Sequence, residues 1–290
     1  CCTYWIFEIL IDYMTQIQHN QLVSFIWNIA NDVLVNVYNK GDYRKVILPM
    51  IVLRRFDAVL EDTKKEVLAM KERLTAANII QQDEALCAVA GQAFCNSSPF
   101  TLKDLKSRTN SQQLKLDFIA YLDGFSANVQ DIITKFKFRN EIDTLVEGGV
   151  LGLLIEKFVD NRINLSNSPV LFDDGSVRLP ALDNHSIGTV FEELLRRFNE
   201  ENNVTEAGEH FTPRDIVTLM AEIAFVPIMD KITDSSYLIY DGACGTGGIL
   251  SVSEERLQQL AEARGKRINT HIFGQELQPE YSPHVVPCSG

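Results

Sequence analysis

Residues 237–248 read Tyr-Leu-Ile-Tyr-Asp-Gly-Ala-Cys-Gly-Thr-Gly-Gly, and they decide the fold of the second half of the chain. The stretch opens with a short apolar run of β-prone residues, which is typical of a buried strand. A glycine-rich turn follows at once, and residues 248–264 have the composition of a helix. A second short strand is predicted at Thr270–Gly274. Together these elements predict the front half of a doubly wound α/β unit.

The turn has the residue types that a nucleotide-like ligand requires. Gly245, Gly247 and Gly248 permit positive φ and let a ligand approach the backbone closely. The turn also directs the N–H groups of a helix N-terminus at the ligand. Asp241, at the end of the strand, is placed to accept a hydrogen bond or pair with a cationic ligand group. Glu276, just past the second strand, is placed to accept hydrogen bonds from ribose hydroxyls.

The same turn leaves other interpretations open. A glycine-rich βα turn also occurs as a purely structural loop. No Gly-Lys-Ser/Thr follows the turn, so the lysine that a nucleoside triphosphate site needs is absent from the motif. The spacing of the glycines is also not a strict G-x-G-x-x-G. A nicotinamide-dependent dehydrogenase fits the strand–turn–helix start but lacks the spacing of the third glycine.

A second polar motif lies upstream of the glycine turn, in a loop that leads into a helix. Thr212 is suited to cap that helix, and Pro213 to occupy its first position. Taken singly, His210 fits a loop histidine, and Phe211 fits a core residue. The helix that follows is predicted to bury an apolar face formed by Ile216, Val217, Leu219, Met220 and Ile223.

The first half of the chain is predicted to be helical. Pro49, within the apolar stretch 43–61, predicts a kink or a helix start. Residues 64–90 and 112–160 are rich in helix formers, and few alternating β-branched runs occur before residue 160. Apolar residues at steps of three and four mark the first amphipathic helix: Leu22, Phe25, Ile26, Ile29, Val33 and Val37.

Composition changes at 165–184, where prolines and an Asp-Asp-Gly turn replace the helical pattern. We therefore predict a helical N-terminal domain at 14–165, a linker at 166–184 and a second domain at 185–290. The chain starts at Cys1, and Met14 opens a stretch that reads like a natural beginning. Residues 1–13 are therefore a candidate non-native extension, which mass spectrometry of the native N-terminus would test.

The net charge of −12 argues against a chain that grips DNA by itself, because phosphate binding needs clustered Lys and Arg. A partner could carry those contacts. The six cysteines form no CxxC pair and no zinc spacing, so we predict reduced thiols and no metal site. No apolar run reaches the length of a membrane span. These features predict a cytoplasmic protein with no membrane contact.

Three motifs carry a resemblance to a known family. The string DGACGTGG at 241–248 closely resembles the Asp-Pro-Ala-Cys-Gly-Thr-Gly-Gly cofactor loop of adenine-specific DNA methyltransferases. The string GEHFTPRDIV at 208–217 resembles the other cofactor-side motif of those enzymes. FGQEL at 273–277 resembles the segment that carries their ribose-binding acid.

The resemblance extends over almost the whole chain. In order and spacing, five segments, one of which includes the motif at 208–217, resemble the modification subunit of type I restriction–modification systems. They are FIWNIANDVL (25–34), YRKVILPMIVLRRFDAVLE (43–61), YLDGFSANVQDIITKFKFRNEI (121–142), GTVFEELLRRFNEENN (188–203) and AGEHFTPRDIV (207–217).

The resemblance implies an α/β fold, with a helical N-terminal domain followed by a Rossmann-like S-adenosylmethionine-dependent methyltransferase domain. It implies methyl transfer from S-adenosylmethionine to the exocyclic amine of adenine in double-stranded DNA. The implied partners are a specificity subunit, a second modification subunit and a restriction/translocase subunit. The cofactor-binding residues that it implies are Glu209, His210, Phe211, Thr212, Pro213, Arg214, Asp241, Ala243, Cys244, Gly245, Thr246, Gly247, Gly248 and Glu276.

The chain departs from the family at two places. Position 242 is Gly where the family usually has Pro, which is expected to loosen the turn. The Asn-Pro-Pro-aromatic motif that orients the flipped adenine is absent, since the sequence contains no Pro-Pro at all. We therefore name no catalytic residues, and we expect an incomplete, C-terminally truncated methyltransferase domain that is inactive alone. The alternative is a non-catalytic assembly or binding module that docks the specificity subunit.

Overall fold

In the computed structural model the chain folds into two compact units, Cys1–Val204 and Thr205–Gly290. The structure describes residues 19–108, 110–201, 212, 214–245 and 247–275, without the side chains at 184, 185, 199–201 and 214. Within those residues, no helix combines the length and the apolar character needed to cross a membrane.

The first unit consists mainly of helices, as the sequence predicts. Short 3-10 turns at Lys40–Asp42 and Phe138–Asn140 connect some of them. In chain order the helices are α1 (residues 19–34), α2 (Arg44–Leu60), α3 (Lys64–Ala76), α4 (Asp83–Ala90), α5 (Leu102–Lys106), α6 (Ser111–Asp123), α7 (Ala127–Lys135), α8 (Glu141–Glu147), α9 (Leu151–Phe158) and α10 (Asn184–Glu201).

Local sequence signals explain several helix ends. Thr101 and Asp104 form a capping box at the start of α5, because each side chain accepts a hydrogen bond from the other's backbone N–H. The Asn110 side chain caps α6 by accepting from the N–H groups of Gln112 and Gln113. Helix α4 ends at Gly91, whose left-handed φ of 64° suits a residue without Cβ.

The structure overturns one of the two sequence-based expectations for Pro49, the helix start, and does not test the other, a kink. Helix α2 begins at Arg44, so Pro49 lies inside the helix and does not start it. The missing N–H of Pro49 leaves the carbonyl of Lys45 without its usual intrahelical donor. The helix tolerates this loss because its flanking residues are buried in the core, including Leu48 and Met50.

Aromatic side chains fill the core of the first unit. The Phe118 ring lies 6.1 Å from that of Tyr121 and meets Phe138 edge-on at the same centroid distance. Tyr121 also packs edge-on against Phe125 at 5.2 Å. Fully burying one such ring stabilises the fold by about 1.5–3 kcal/mol, and these rings pack in the core together with many buried Leu, Ile and Val residues.

The segment between α9 and α10 is tied to the helical unit. It contains an antiparallel hairpin of β1 (Val170–Leu171) and β2 (Val177–Leu179). The buried Arg55 donates from one guanidinium nitrogen to the carbonyls of Leu165 and Leu182, at 2.6 and 2.7 Å. Both ends of the predicted linker are therefore anchored on α2.

Helix α10 packs within the first unit. The Phe198 ring lies 4.9 Å from that of Trp27 on α1, and Val190 and Leu194 are buried. The apolar face of α10 is thus buried with the helical core. The first compact unit therefore includes α10, which follows the linker predicted at 166–184.

The second unit is a small α/β arrangement. Its elements in chain order are α11 (Arg214–Phe225), a 3-10 turn (Val226–Lys231), β3 (Ser236–Asp241), α12 (Gly248–Glu262) and β4 (Asn269–Gly274). Strands β3 and β4 pair in parallel, from Ser236 opposite Asn269 to Asp241 opposite Gly274. This pairing confirms the predicted strand–turn–helix–strand order.

Helix α12 packs between α11 and one face of the strand pair. Leu257 and Leu260 of α12 are buried with Ile232, and Tyr237 and Ile239 of β3 pack against them. Alternation along the strand places Leu238 on the opposite face, where 72% of its surface is exposed. The strand pair is therefore covered on one face.

The predicted buried face of α11 was largely wrong. Val217 is buried, together with Ala221, against Val252 of α12. The other four predicted residues are 44% to 66% exposed: Ile216, Leu219, Met220 and Ile223. The helix carries two apolar stripes, and the one with the small residue Ala221 allows the close approach to α12.

Candidate functional site

The glycine turn joins the carboxyl end of β3 to the start of α12. Gly245 has φ of 52° and Gly247 has φ of 82°, both in the left-handed region. A side chain in that region is strained, which explains glycine at these two positions. A Cβ built at Gly245 would have no heavy atom of the described residues within 4 Å, its two chain neighbours aside.

The residue after β4 holds the turn in place. The Gln275 N–H donates to the carbonyl of Asp241 at 2.8 Å, and the Cys244 N–H donates to the carbonyl of Gln275 at 3.0 Å. The Gly247 N–H in turn donates to the carbonyl of Cys244 at 2.7 Å. Three successive backbone hydrogen bonds thus fix the path of the turn over the end of the strand pair.

Close packing under the turn involves Gly274, the last residue of β4. A Cβ at Gly274 would lie 2.6 Å from Sγ of Cys244 and 3.0 Å from Cδ1 of Leu250. Cys244 itself is buried. Its small side chain therefore packs between the turn and β4.

The two oxygens of the Asp241 carboxylate have different surroundings. Its Oδ1 accepts from the Ala243 N–H at 3.0 Å. Its Oδ2 is buried and has no hydrogen-bond partner among the residues that the structure describes. A buried carboxylate oxygen without a donor is costly unless a ligand supplies one. The geometry suits a cationic or hydrogen-bond-donating ligand group at this atom.

The start of α12 faces the same turn. Gly247 occupies the cap position, and Ser251 donates to the Gly247 carbonyl from both its N–H, at 3.0 Å, and its hydroxyl, at 2.8 Å. The first N–H groups of any helix have no acceptor within the helix. These N–H groups and the Asp241 carboxylate belong to one short stretch of chain, so that stretch carries both donors and an acceptor.

The structure brings together the described part of the predicted cofactor loop: Asp241, Ala243, Cys244, Gly245, Gly247 and Gly248. Thr212 is exposed and lies two residues before the first residue of α11, Arg214. The remaining predicted residues lie outside the described residues: Glu209, His210, Phe211, Pro213, Thr246 and Glu276.

Sequence reasoning missed three residues of the site. Gln275 bridges both sides of the turn, Gly274 makes room for Cys244, and Tyr240 donates its hydroxyl to Oε1 of Gln275 at 3.0 Å. For Gly274 the available signal was a glycine at the end of β4, since glycine in a strand often marks close backbone approach.

The first unit contains a separate cluster of buried charges. Asp57 accepts from the Leu102 N–H at 3.2 Å, and burial raises its pKa. Lys64 donates to Oδ1 of Asn96 at 2.8 Å, and burial lowers the pKa of Lys64 to about 8. The first bond joins α2 to α5, and the second joins α3 to the segment between α4 and α5, so we interpret the cluster as structural.

Two family models match the sequence in succession. The HsdM N-terminal domain matches residues 22–158, and the N-6 DNA Methylase matches residues 182–282. The second match begins just before α10.

Two curated proteins that match part of the chain are methylase subunits. The chain is 29% identical over 133 residues to the type I restriction enzyme HindI methylase subunit of Haemophilus influenzae, covering 43% of this chain and 27% of that protein. It is 25% identical over 162 residues to the type I restriction enzyme EcoEI methylase subunit of Escherichia coli, covering 55% and 28%. The matches thus span little more than a quarter of these relatives.

A solved structure shares the fold. The type I restriction-modification system methyltransferase subunit from Streptococcus thermophilus superposes with a TM-score of 0.56 at 19% identity. The superposition covers 92% of this chain and 54% of that one. At 19% identity, this structural similarity is evidence that the two chains share a fold and shows nothing further.

Proposed function

The chain belongs to the family of type I modification subunits, and from that premise we propose that it binds S-adenosylmethionine for methylation of the exocyclic amine of adenine in DNA. The observation that carries the proposal is the buried Oδ2 of Asp241, which has no donor among the described residues and lies in the glycine turn that leads into a helix N-terminus.

The residues of the turn fit this cofactor. The amino acid part of S-adenosylmethionine carries an ammonium group, which can donate to Oδ2 of Asp241. Its carboxylate suits the free N–H groups at the start of α12. The backbone from Ala243 to Gly248 would line the methionine and adenosine parts. The bound cofactor supplies an electrophilic methyl group.

Two further parts of the cofactor site are proposed by resemblance. Glu276 would accept hydrogen bonds from the ribose hydroxyls, since it directly follows Gln275 at the end of β4. The segment Glu209–Arg214 would close over the cofactor from the other side. Both roles belong to the family's motif pattern, matched residue by residue to this sequence.

We propose that the chain functions as one subunit of a larger complex. We place this chain in a complex with a specificity subunit, a second modification subunit and a restriction/translocase subunit on double-stranded DNA, in the cytoplasm of a prokaryotic cell. The net charge of −12 supports DNA contacts through partners, because phosphate binding requires clustered cations.

A polypeptide of these 290 residues is expected to transfer no methyl group by itself. It contains no Asn-Pro-Pro-aromatic motif, which in the family orients the amine of a flipped adenine. The test is incubation of the purified polypeptide with labelled S-adenosylmethionine and DNA. Labelled DNA would contradict this part of the proposal.

Cofactor binding is tested by titration calorimetry with S-adenosylmethionine. Asp241→Asn keeps the oxygen that accepts from the Ala243 N–H but replaces Oδ2 with a neutral NH2 group. We expect its Kd to rise about 10- to 100-fold, because hydrogen bonds to charged groups are strong. Asp234→Asn is the matched control, since Asp234 accepts from the Arg267 N–H at the opposite end of the strand pair.

Three outcomes of the titration would oppose the proposal. Equal loss in both variants would point to a general charge effect. Displacement of S-adenosylmethionine by NAD at the same site would favour a dehydrogenase-like site. No binding by a chain that is helical by circular dichroism would favour an assembly module that docks the specificity subunit.

A further inference from the structure

The Tyr240 side chain reaches across the glycine turn. Tyr240 is 65% exposed, yet its hydroxyl donates to Oε1 of Gln275 at 3.0 Å. A Cβ at Gly242 would lie 3.5 Å from both Cε1 and the hydroxyl oxygen of Tyr240. The ring therefore lies alongside the first residue of the turn, and its tip is fixed to the residue after β4.

Gln275 transmits this contact to the turn itself. Its N–H donates to the carbonyl of Asp241 at 2.8 Å, and its carbonyl accepts from the Cys244 N–H at 3.0 Å. Gln275 thus bonds to the chain on both sides of Gly242. Because the Tyr240 hydroxyl holds the Gln275 side chain, it also restricts the Gln275 backbone, which is bonded to Asp241 and Cys244.

Gly242 is the position that most needs such support. It follows the strand directly and has a φ outside the left-handed region, so glycine is not required there for its backbone conformation. Glycine nevertheless leaves the chain more freedom than any other residue. The related methyltransferases usually have Pro here, which restricts the backbone directly.

We propose that Tyr240 is a positioning residue that acts through Gln275 to hold the glycine turn at 242–247 in the conformation that binds S-adenosylmethionine. Its effect on the order of the turn is independent of the ligand, whereas its effect on affinity rests on the proposed function. Tyr240 lies on the strand face opposite Tyr237 and Ile239, which pack on α12.

Amide hydrogen exchange tests the order of the turn without any ligand. Tyr240→Phe removes only the hydroxyl. We expect the Cys244 and Gly247 amides to exchange about 2- to 10-fold faster, the usual net effect of one hydrogen bond, while amides within α12 keep their rates.

The matched control is Tyr237→Phe. The Tyr237 hydroxyl bonds to the backbone of Thr233 at the other end of the same strand, so its loss should leave the turn unchanged. Unchanged Cys244 and Gly247 rates in Tyr240→Phe would overturn the proposal. Equal acceleration across the whole second unit would also overturn it, because Tyr240 would then only stabilise the fold.

A rescue separates positioning from direct contact with the ligand. We expect Tyr240→Phe to raise the Kd for S-adenosylmethionine about 2- to 10-fold. Adding Gly242→Ala should restore most of the affinity, because it restricts the backbone without a steric clash.

Affinity that stays low in the double variant would mean that the hydroxyl contacts the ligand directly, and positioning would be refuted. If the unsubstituted chain binds no S-adenosylmethionine, the proposed function fails. The exchange rates of the turn still decide the role of Tyr240 in that case.

Discussion

Gly274 lies directly against Cys244, with no space between them for a methyl group. A Cβ at Gly274 would come within 2.6 Å of Sγ and 3.0 Å of Cβ of Cys244. Gly274→Ala should therefore destabilise the second unit by about 1–3 kcal/mol, because a well-packed site must shift to accept the extra atom. Urea unfolding measures this change.

Gly242→Ala is the control for that prediction. The added Cβ would be 3.5 Å from the Tyr240 ring, an ordinary contact, and would reduce the freedom of the unfolded chain. We expect unchanged stability or a gain of up to about 1 kcal/mol. Similar losses in both variants would show that the close packing at Gly274 has no special role.

Replacement of Arg55 should release the segment between α9 and α10. Arg55→Met leaves the carbonyls of Leu165 and Leu182 without their donor, and we expect a loss of about 2–4 kcal/mol. Trypsin should then cut faster at the exposed Arg178 in the hairpin.

The control for Arg55 is Lys103→Met, which removes an exposed ion pair with Glu61. Such pairs contribute about 0–1 kcal/mol, so stability and cleavage at Arg178 should change little. Equal cleavage rates in the Arg55 variant and the original chain would refute the anchoring role.

Lys64 makes the stability of the first unit depend on pH. Its pKa is about 8 in the folded chain, against 10.5 for an unperturbed lysine side chain. Between these values the unfolded chain binds more protons, so the free energy of unfolding rises with pH. We expect a gain on the order of 1 kcal/mol from pH 8 to 9.5 relative to Lys64→Met.

Urea unfolding of both proteins at several pH values measures the difference. Well below pH 8 both states hold the proton, and the difference should be constant. A difference that falls with rising pH would show that Lys64 is stabilised in its charged form, for example by Asp57.

The two faces of β3 should respond differently to substitution. Leu257, 2% exposed, packs under one face, and Leu257→Ala should cost about 2–5 kcal/mol. Leu238 is exposed on the other face, and Leu238→Lys should change stability by less than about 0.5 kcal/mol.

The exposed face should also promote association of the purified chain, because Leu238 lies near the exposed Phe273 on β4. Light scattering should show less concentration-dependent association in Leu238→Lys than in the original chain. Large destabilisation by Leu238→Lys would indicate that this face is covered in solution.

The bounds of the strands and of the helix next to the glycine turn in the second unit were predicted closely from the sequence. The strands were expected at 237–240 and 270–274 and extend over Ser236–Asp241 and Asn269–Gly274. The helix expected at 248–264 ends at Glu262. Short apolar runs beside a glycine turn leave little freedom in assigning such elements.

The face of α11 could not be predicted from periodicity. Ile216, Leu219 and Ile223 have helical spacing, but so do Val217 and Ala221. A hydrophobic pattern does not show which of two stripes meets a neighbour, and here the small residue permits the closer packing.

Contacts between distant polar residues gave no sequence signal. The Tyr240–Gln275 bond joins residues 35 positions apart, and Arg55 is 127 positions from Leu182. The domain boundary at 166–184 stays a prediction, since the second family match starts at residue 182 while α10 packs with the first unit. The cofactor-binding residues also stay predictions.

The double anchoring by Arg55 has a practical consequence for labelling the protein. Because Leu165 and Leu182 are held close together on α2, the chain between them already forms a closed loop. Lengthening a closed loop costs little, as each doubling adds only about 0.6 kcal/mol. The hairpin tip at 172–176 is therefore the place to insert a fluorescent or affinity tag without separating the helices on either side.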